Sequence, residues 1–216
     1  MPNDAPSAGQ LSVISDAFCR ELAALGRVRT YPKNTVVITE GDSSNSVFVI
    51  ISGKIKVYVS DAEGREMILD THTTNEYVGE MAFDGKPRSA SVMTLEPTVF
   101  SVVTREALLE AIRKSPDFAL QLIAKLIDRA RLATDNVKHL ALLDVYGRVA
   151  RLLLNMAEEK DGKLVIPEKL TQQDIAERVG ASRDMVSRIV RDLTAGGYIT
   201  VDHKQITINK KPPARW

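Results

Sequence analysis

Between Ser115 and Leu143 the chain carries one uninterrupted helical pattern. Pro116 suits the first position of a helix, because its missing N–H would be unpaired there anyway. From it, Ala119, Ile123, Leu126, Ala130, Ala133, Val137 and Leu140 recur at steps of four and three. Only an α-helix puts that spacing on a single face, and a seam kept over three heptads is the signature of a coiled coil. Lys125, Asp128, Arg129, Arg131 and Asp135 flank the seam. This favours a two-stranded parallel pairing between subunits over one long helix buried within a single chain. A second apolar set, Leu122, Ile127 and Leu132, is available to pack on the domain that precedes it.

That helix separates two different textures. Before it, Val36–Ile38, Val47–Ile51, Ile55–Val59, Met67–Leu69 and Val99–Val103 are short β-rich runs. Glu40-Gly41-Asp42, Ser52-Gly53-Lys54 and Asp61-Ala62-Glu63-Gly64 are the turns between them. Many short strands joined by tight turns predict a sandwich or barrel. Ser15 is expected to cap a short helix through Leu25, and Thr104 to cap one over Arg105–Lys114. After the seam, Leu143–Arg148 marks a hinge and a helix is predicted from there to Lys160, followed by a strand over Lys163–Ile166. Thr171-Gln172-Gln173-Asp174 has the form of a capping box. It opens a helix with Ile175, Ala176 and Val179 inward, and Gly180-Ala181-Ser182 turns the chain into a second helix through Leu193. Ile199–Ile208 reads as a hairpin around Asp202-His203-Lys204, and the Asn209–Trp216 tail is expected to be basic and mobile. The class is α+β.

Two segments carry chemistry. In Tyr77–Val92, Arg88 can fork onto two phosphate oxygens and Ser89 can donate a hydroxyl hydrogen bond. Gly79 allows close backbone approach to a ligand, Glu80 can accept from a ribose hydroxyl, and Met81 lies beside it. The alternative is a plain loop over Asp84–Pro87 followed by a strand from Ala90. In the second segment, Ser182–Arg191, the residues Val186, Ile189 and Val190 face inward at helical spacing. Arg183, Asp184, Ser187, Arg188 and Arg191 are left outward. Arginine reads guanine and a carboxylate accepts from cytosine in the major groove. Thr171, Gln173 and Ser182 lie where hydroxyls, an amide and helix N-termini meet phosphates, and Lys204 at the hairpin tip suits a phosphate contact. The alternative is an ordinary solvated face. Charge distribution favours the DNA reading. Net charge is only +1, yet Leu140–Trp216 holds 13 Lys and Arg against 10 Asp and Glu, net +3.

Taken together, Glu40-Gly41-Asp42, Gly79-Glu80 with Arg88-Ser89, Leu142-Leu143-Asp144-Val145 with Gly147-Arg148, and Thr171–Ile175 through Gly180–Arg183 resemble the catabolite activator/FNR (CRP/FNR) family of bacterial transcription regulators. The resemblance covers nearly all of the chain after Leu11. It implies a flexible arm over residues 1–10, a cyclic-nucleotide-binding β-roll over 11–115, a dimerisation helix over 116–143 and a winged helix-turn-helix over 144–216. It also implies a homodimer on palindromic double-stranded DNA, RNA polymerase as partner, and an effector.

The effector classes of the family narrow here. Cys19 is the only cysteine, so an iron–sulfur cluster cannot be built, and His72, His139 and His203 lack ligand spacing for haem. Cyclic AMP and cyclic di-GMP are left, in that order, with DNA binding without a small ligand as a further alternative. In the cyclic AMP branch two dimer-helix hydroxyl residues meet the adenine. The corresponding pair here is Ala133-Thr134, so one hydroxyl is missing, and the loop from Glu80 to Arg88 is shorter by two than in the catabolite activator. Asp184 stands where the activator has Glu, and the Glu158–Gly162 loop, where the activator touches polymerase, is shorter. No nucleophile–base pair or metal cluster suggests an enzyme. The chain has no long apolar stretch and no apolar core of a signal peptide near Met1, so a cytoplasmic location is expected. A cyclic-nucleotide-binding signalling scaffold is the alternative from another class, but it would have no use for the terminal winged helix.

Overall fold

The computed structural model describes residues 17–160 and 162–213, so Ser15 and the 1–10 arm lie outside the described residues. These residues form two compact units. One takes the chain up to Val59 with Leu69–Arg131, and the other takes Ser60–Ile68 with the chain from Leu132 onward.

Helix α1 (17–24) precedes eight strands, which lie in the first unit except where their residues fall within Ser60–Ile68. They are β1 (Arg27–Tyr31), β2 (Val36–Ile38), β3 (Ser46–Ser52), β4 (Ile55–Ser60), β5 (Glu66–His72), β6 (Tyr77–Val78), β7 (Ser91–Thr94) and β8 (Thr98–Thr104), with a 3₁₀ turn over Glu80–Asp84. Two four-stranded sheets result, ordered β1-β8-β3-β6 and β2-β7-β4-β5. Strand β3 shows why two layers form. Phe48 and Ile50 point to a core shared with Ile38, Ile55, Val92 and Phe100 from both sheets. Its alternate residues Val47 and Val49 point the other way, to Phe18, Leu22, Leu108, Phe118 and Leu122 on the helices. Strand alternation thus buries both faces of one sheet. Two strands escape the sequence pattern. Strand β1 is polar and mostly exposed, and β6 is only two residues long. Each forms because a neighbour offers a free edge: β1 pairs with β8 and β6 with β3.

Helix α2 (Arg105–Lys114) starts where expected, the Thr104 side chain accepting from the Ala107 N–H. Helix α3 (Pro116–Leu142) follows, with Phe118 and Leu122 buried. Of the second apolar set only Leu122 packs on the roll; Ile127 and Leu132 are exposed. Five positions beyond Leu122, Ile127 has turned away from the face on which Phe118 and Leu122 are buried, whereas Leu132 falls in the part of the helix that belongs to the second unit.

In the second unit, α4 (Val145–Met156) is capped by Asp144, which accepts from the Gly147 N–H. It stops at Met156 rather than Lys160. Glu158–Lys160 is instead strand β9, paired with β10 (Lys163–Val165). The apolar period of α4 ends at Met156, and Gly162 at φ 73° folds the chain back so that these backbone groups find sheet partners. Helices α5 (Gln172–Val179) and α6 (Arg183–Ala195) and strands β11 (Ile199–Asp202) and β12 (Gln205–Ile208) complete the unit, with sheet order β11-β12-β10-β9. One core joins them, including Leu153, Ile166, Ile175, Val186, Leu193 and Ile199. The tail begins as part of this fold: Lys210 Nζ lies 4.3 Å from the Tyr198 ring centroid and Pro212 is buried. No helix of the described residues is long and apolar enough to cross a membrane.

Candidate functional sites

The first site is built at the end of β6. Gly79 sits at φ 90°, and a Cβ there would lie 2.7 Å from Arg88 Nη1 and 3.0 Å from the Ser46 carbonyl oxygen. Its lack of a side chain makes room for the guanidinium rather than for a ligand, which alters the role expected from sequence. Arg88 is 5% exposed. Its Nη1 donates to the Gly79 carbonyl, and its Nη2 donates to Ser44 Oγ and to the Ser46 carbonyl, each at 2.7 Å. Its Nε–H is buried with no hydrogen-bond partner among the described residues. Burial pulls the Arg88 guanidinium below its ordinary pKa, and the Glu80 carboxylate opposes that shift. A buried cation with a surplus donor is a site that an anion completes.

Glu80, 7% exposed, opens the 3₁₀ turn and forms an ion pair with Arg129 Nη1 from α3. Arg129 Nη2 donates to the Tyr77 carbonyl, and its guanidinium carbon lies 4.8 Å from the Tyr77 ring centroid. Burial works against the Arg129 charge, but Glu80, helped by Tyr77 and Asp70, more than offsets it, so its pKa is held above the ordinary value. Burial likewise drives the Tyr77 hydroxyl upward. Arg129 entered the sequence reading only as a charge flanking the seam, and nothing in its spacing marks it as the partner of Glu80. Ser89 and Met81 are exposed at the rim, the Ser89 hydroxyl 3.4 Å from the Met81 sulfur. Gly79, Glu80, Arg88, Ser89 and Met81 are thus brought together. Ala133 and Thr134 are exposed on the stretch of α3 that belongs to the second unit.

In the second unit the capping box is complete. Asp174 N–H donates to Thr171 Oγ1 at 3.1 Å, and Thr171 N–H donates to Asp174 Oδ2 at 2.7 Å. The Thr171 hydroxyl also donates to Asp174, so it is taken up inside the box. Gln173 is exposed, its amide donating to Glu177 at 3.0 Å. Gly180 adopts the left-handed conformation, φ 62° and ψ 54°, that ends α5. Ser182 then caps α6 by accepting from the Met185 N–H at 3.2 Å. Val186, Ile189 and Val190 are buried, while Arg183, Asp184, Arg188 and Arg191 are exposed and Ser187 is half-buried. The outward residues share one face because they recur at three and four. His203 and Lys204 both have positive φ, 45° and 69°, in the two-residue turn that presents Lys204 at the hairpin tip. Arg148, noted in sequence only as part of the hinge, ties this unit together. Its Nε donates to the Val179 carbonyl at 2.8 Å, its Nη1 to the Leu143 carbonyl at 3.0 Å and its Nη2 to the Gly180 carbonyl at 3.4 Å.

Two stretches of the chain match known domain families. Residues 28–115 match the cyclic nucleotide-binding domain and residues 147–212 the Crp-like helix-turn-helix domain. The chain is 33% identical over 184 residues to the CRP-like cAMP-activated global transcriptional regulator of Mycobacterium tuberculosis, covering 83% of this chain and 82% of that protein. It is 30% identical over 187 residues to the cAMP-activated global transcriptional regulator CRP of Shigella flexneri, covering 84% and 89%. Among solved structures, the c-di-GMP responsive global regulator CLP of Xanthomonas campestris aligns at a TM-score of 0.78 and 25% identity, covering 89% of this chain and 98% of that one. FixK2 of Bradyrhizobium japonicum, at 21% identity and a TM-score of 0.71 over 86% and 93% of the two chains, shares the fold.

The Glu80–Arg129 pair generates a stability prediction. Arg129→Ala leaves a buried carboxylate unpaired and should destabilise the first unit by about 3–5 kcal/mol, read by urea unfolding. Adding Glu80→Gln to that variant should recover part of the loss.

Proposed function

The chain belongs to the CRP/FNR family of DNA-binding transcription regulators, which are not enzymes, and carries that family's cyclic nucleotide-binding domain, and on that premise we propose that it is a homodimer gated by cyclic AMP. It binds palindromic double-stranded DNA and acts with RNA polymerase as partner. The observation that carries the effector assignment is the buried Arg88, whose Nε–H has no partner among the described residues, next to the buried Glu80. A cyclic phosphate answers Arg88, and a ribose hydroxyl answers Glu80. Ser89 and Met81 close the rim, and the base-contacting pair of the cyclic AMP branch corresponds to Ala133 and Thr134, of which only Thr134 carries a hydroxyl. The cAMP-activated relatives at 30% and 33% identity support this reading.

Cyclic di-GMP is the second reading. It is supported by the likeness to the c-di-GMP responsive regulator CLP and by the single hydroxyl of the Ala133-Thr134 pair. The homodimer reading rests on the seam of α3. Ile123, Leu126, Val137 and Leu140 are 50%, 43%, 64% and 40% exposed in the single chain, an apolar stripe that a second copy would cover. Ligand binding then shifts a two-state equilibrium by its differential affinity for the state in which both α6 helices fit successive major grooves.

Calorimetry with a panel of cyclic mono- and dinucleotides tests the effector assignment. Cyclic AMP should bind, and Arg88→Ala should weaken it by about 2–4 kcal/mol. Tighter binding of cyclic di-GMP would favour the second reading, and an unchanged affinity in the Arg88 variant would remove that residue from the site.

Leu126→Glu places a charge on the seam and should yield monomers by light scattering, with weakened DNA binding. Persistence of the dimer would place the subunit contact elsewhere.

On DNA, Arg183→Ala and Arg188→Ala should each cost about 1–3 kcal/mol and relax specificity at one base pair. Lys204→Ala should weaken all sequences alike and reduce the salt dependence by about one charge. Mobility shifts on a palindromic site and its single-base variants, at several salt concentrations, separate these outcomes.

A further inference from the structure

Ser44 lies in the loop between β2 and β3, outside the residues by which the cassette is recognised in sequence. Its hydroxyl accepts from Arg88 Nη2 at 2.7 Å. The same loop is bonded to the Arg88 backbone in both directions. Gly41 N–H donates to the Arg88 carbonyl and Arg88 N–H to the Asp42 carbonyl, each at 2.9 Å. The loop therefore fixes the Ser44 hydroxyl against the guanidinium.

The three acceptors on Arg88 differ in kind. Gly79 and Ser46 offer backbone carbonyls, which can only accept. The Ser44 hydroxyl accepts and still has a hydrogen to donate. Ser44 is exposed whereas Arg88, to which its hydroxyl is bonded, is buried. A hydroxyl that accepts from a cation is polarised and becomes a better donor.

Resting on the cassette as the site of the cyclic phosphate, we propose that Ser44 is a further phosphate-binding residue. Its oxygen keeps the bond from Arg88 Nη2, and its hydrogen turns onto a phosphate oxygen of the cyclic nucleotide. The surface of the buried cation is thereby extended to the ligand through a group that is neither Arg88 nor Ser89.

The test is calorimetric titration of the full chain with cyclic AMP and with cyclic di-GMP, for wild type, Ser44→Ala, Ser44→Thr and Ser44→Asp, each accompanied by thermal unfolding. Ser44→Ala should weaken binding about tenfold, because a charge-assisted donor is lost and an Arg88 N–H is left without its acceptor. Ser44→Thr keeps the hydroxyl and should retain wild-type affinity. Ser44→Asp still accepts from Arg88 but sets a carboxylate against the phosphate. It should fold normally and lose about a hundredfold or more in affinity. Wild-type affinity in the Asp variant overturns the inference, as does unchanged affinity in Ser44→Ala. Should the Ala variant fail to fold, the contrast between Thr and Asp decides alone. Wild-type protein that binds neither nucleotide overturns the cassette reading and this inference with it.

Discussion

The buried ion pair between Glu80 and Arg129 is the constraint on which the first unit turns. Two charges out of water are tolerated only when they satisfy each other and their remaining donors. Arg129 meets that condition by also bonding the Tyr77 carbonyl and lying over the Tyr77 ring. The consequence is that α3 is attached to the cassette through the residue proposed to meet the ribose. A ligand that draws on Glu80 must share it with Arg129, so ligand chemistry and the position of a point on α3 are one problem. Phe118 and Leu122, the buried residues of the helix, hold its first turns to the roll by packing alone. Apolar packing resists sliding far less specifically than a paired charge does, and the ion pair therefore sets the register of the helix.

The second unit is held by local rules and by one long side chain. Asp144, Thr171 and Ser182 each cap the helix that follows them, satisfying N–H groups that would otherwise be orphaned. Arg148 does the complementary task at the carboxyl ends, donating to carbonyls at Leu143, Val179 and Gly180. A cation at helix C-termini is favoured by the backbone dipoles there. The proposed reading face of α6 thus rests on a turn whose backbone groups are satisfied from outside it, which keeps the exposed arginines on a rigid support.

Much of this architecture is legible in the linear chain because its signals are local. The Thr104 and Thr171 caps, Pro116 at a helix start, Gly180 at a helix end and the inward set Val186, Ile189 and Val190 each depend on residues within a few positions. The same holds for the hairpin around His203 and Lys204, whose two strands pair across it. The failures also share a cause. Helix α4 was expected to reach Lys160, but a sheet partner at Lys163–Val165 takes the chain from Glu158 onward. Strands β1 and β6 carry weak patterns of their own and exist because β8 and β3 offer edges.

The candidate site divides along the same line. Sequence alone determined which residue types are present: a glycine, a carboxylate, an arginine and a serine at spacing suited to a sugar phosphate, and three arginines on one face of the second helix of a helix-turn-helix. It determined these because the residues lie close along the chain. Only the tertiary structure decided what each of them touches. Gly79 yields its space to Arg88 across nine positions, Ser44 reaches Arg88 across 44 positions, and Arg129 comes from α3 to neutralise Glu80. Such pairings have no local signature, because a buried charge finds its partner by desolvation and distance in space, and sequence separation enters neither.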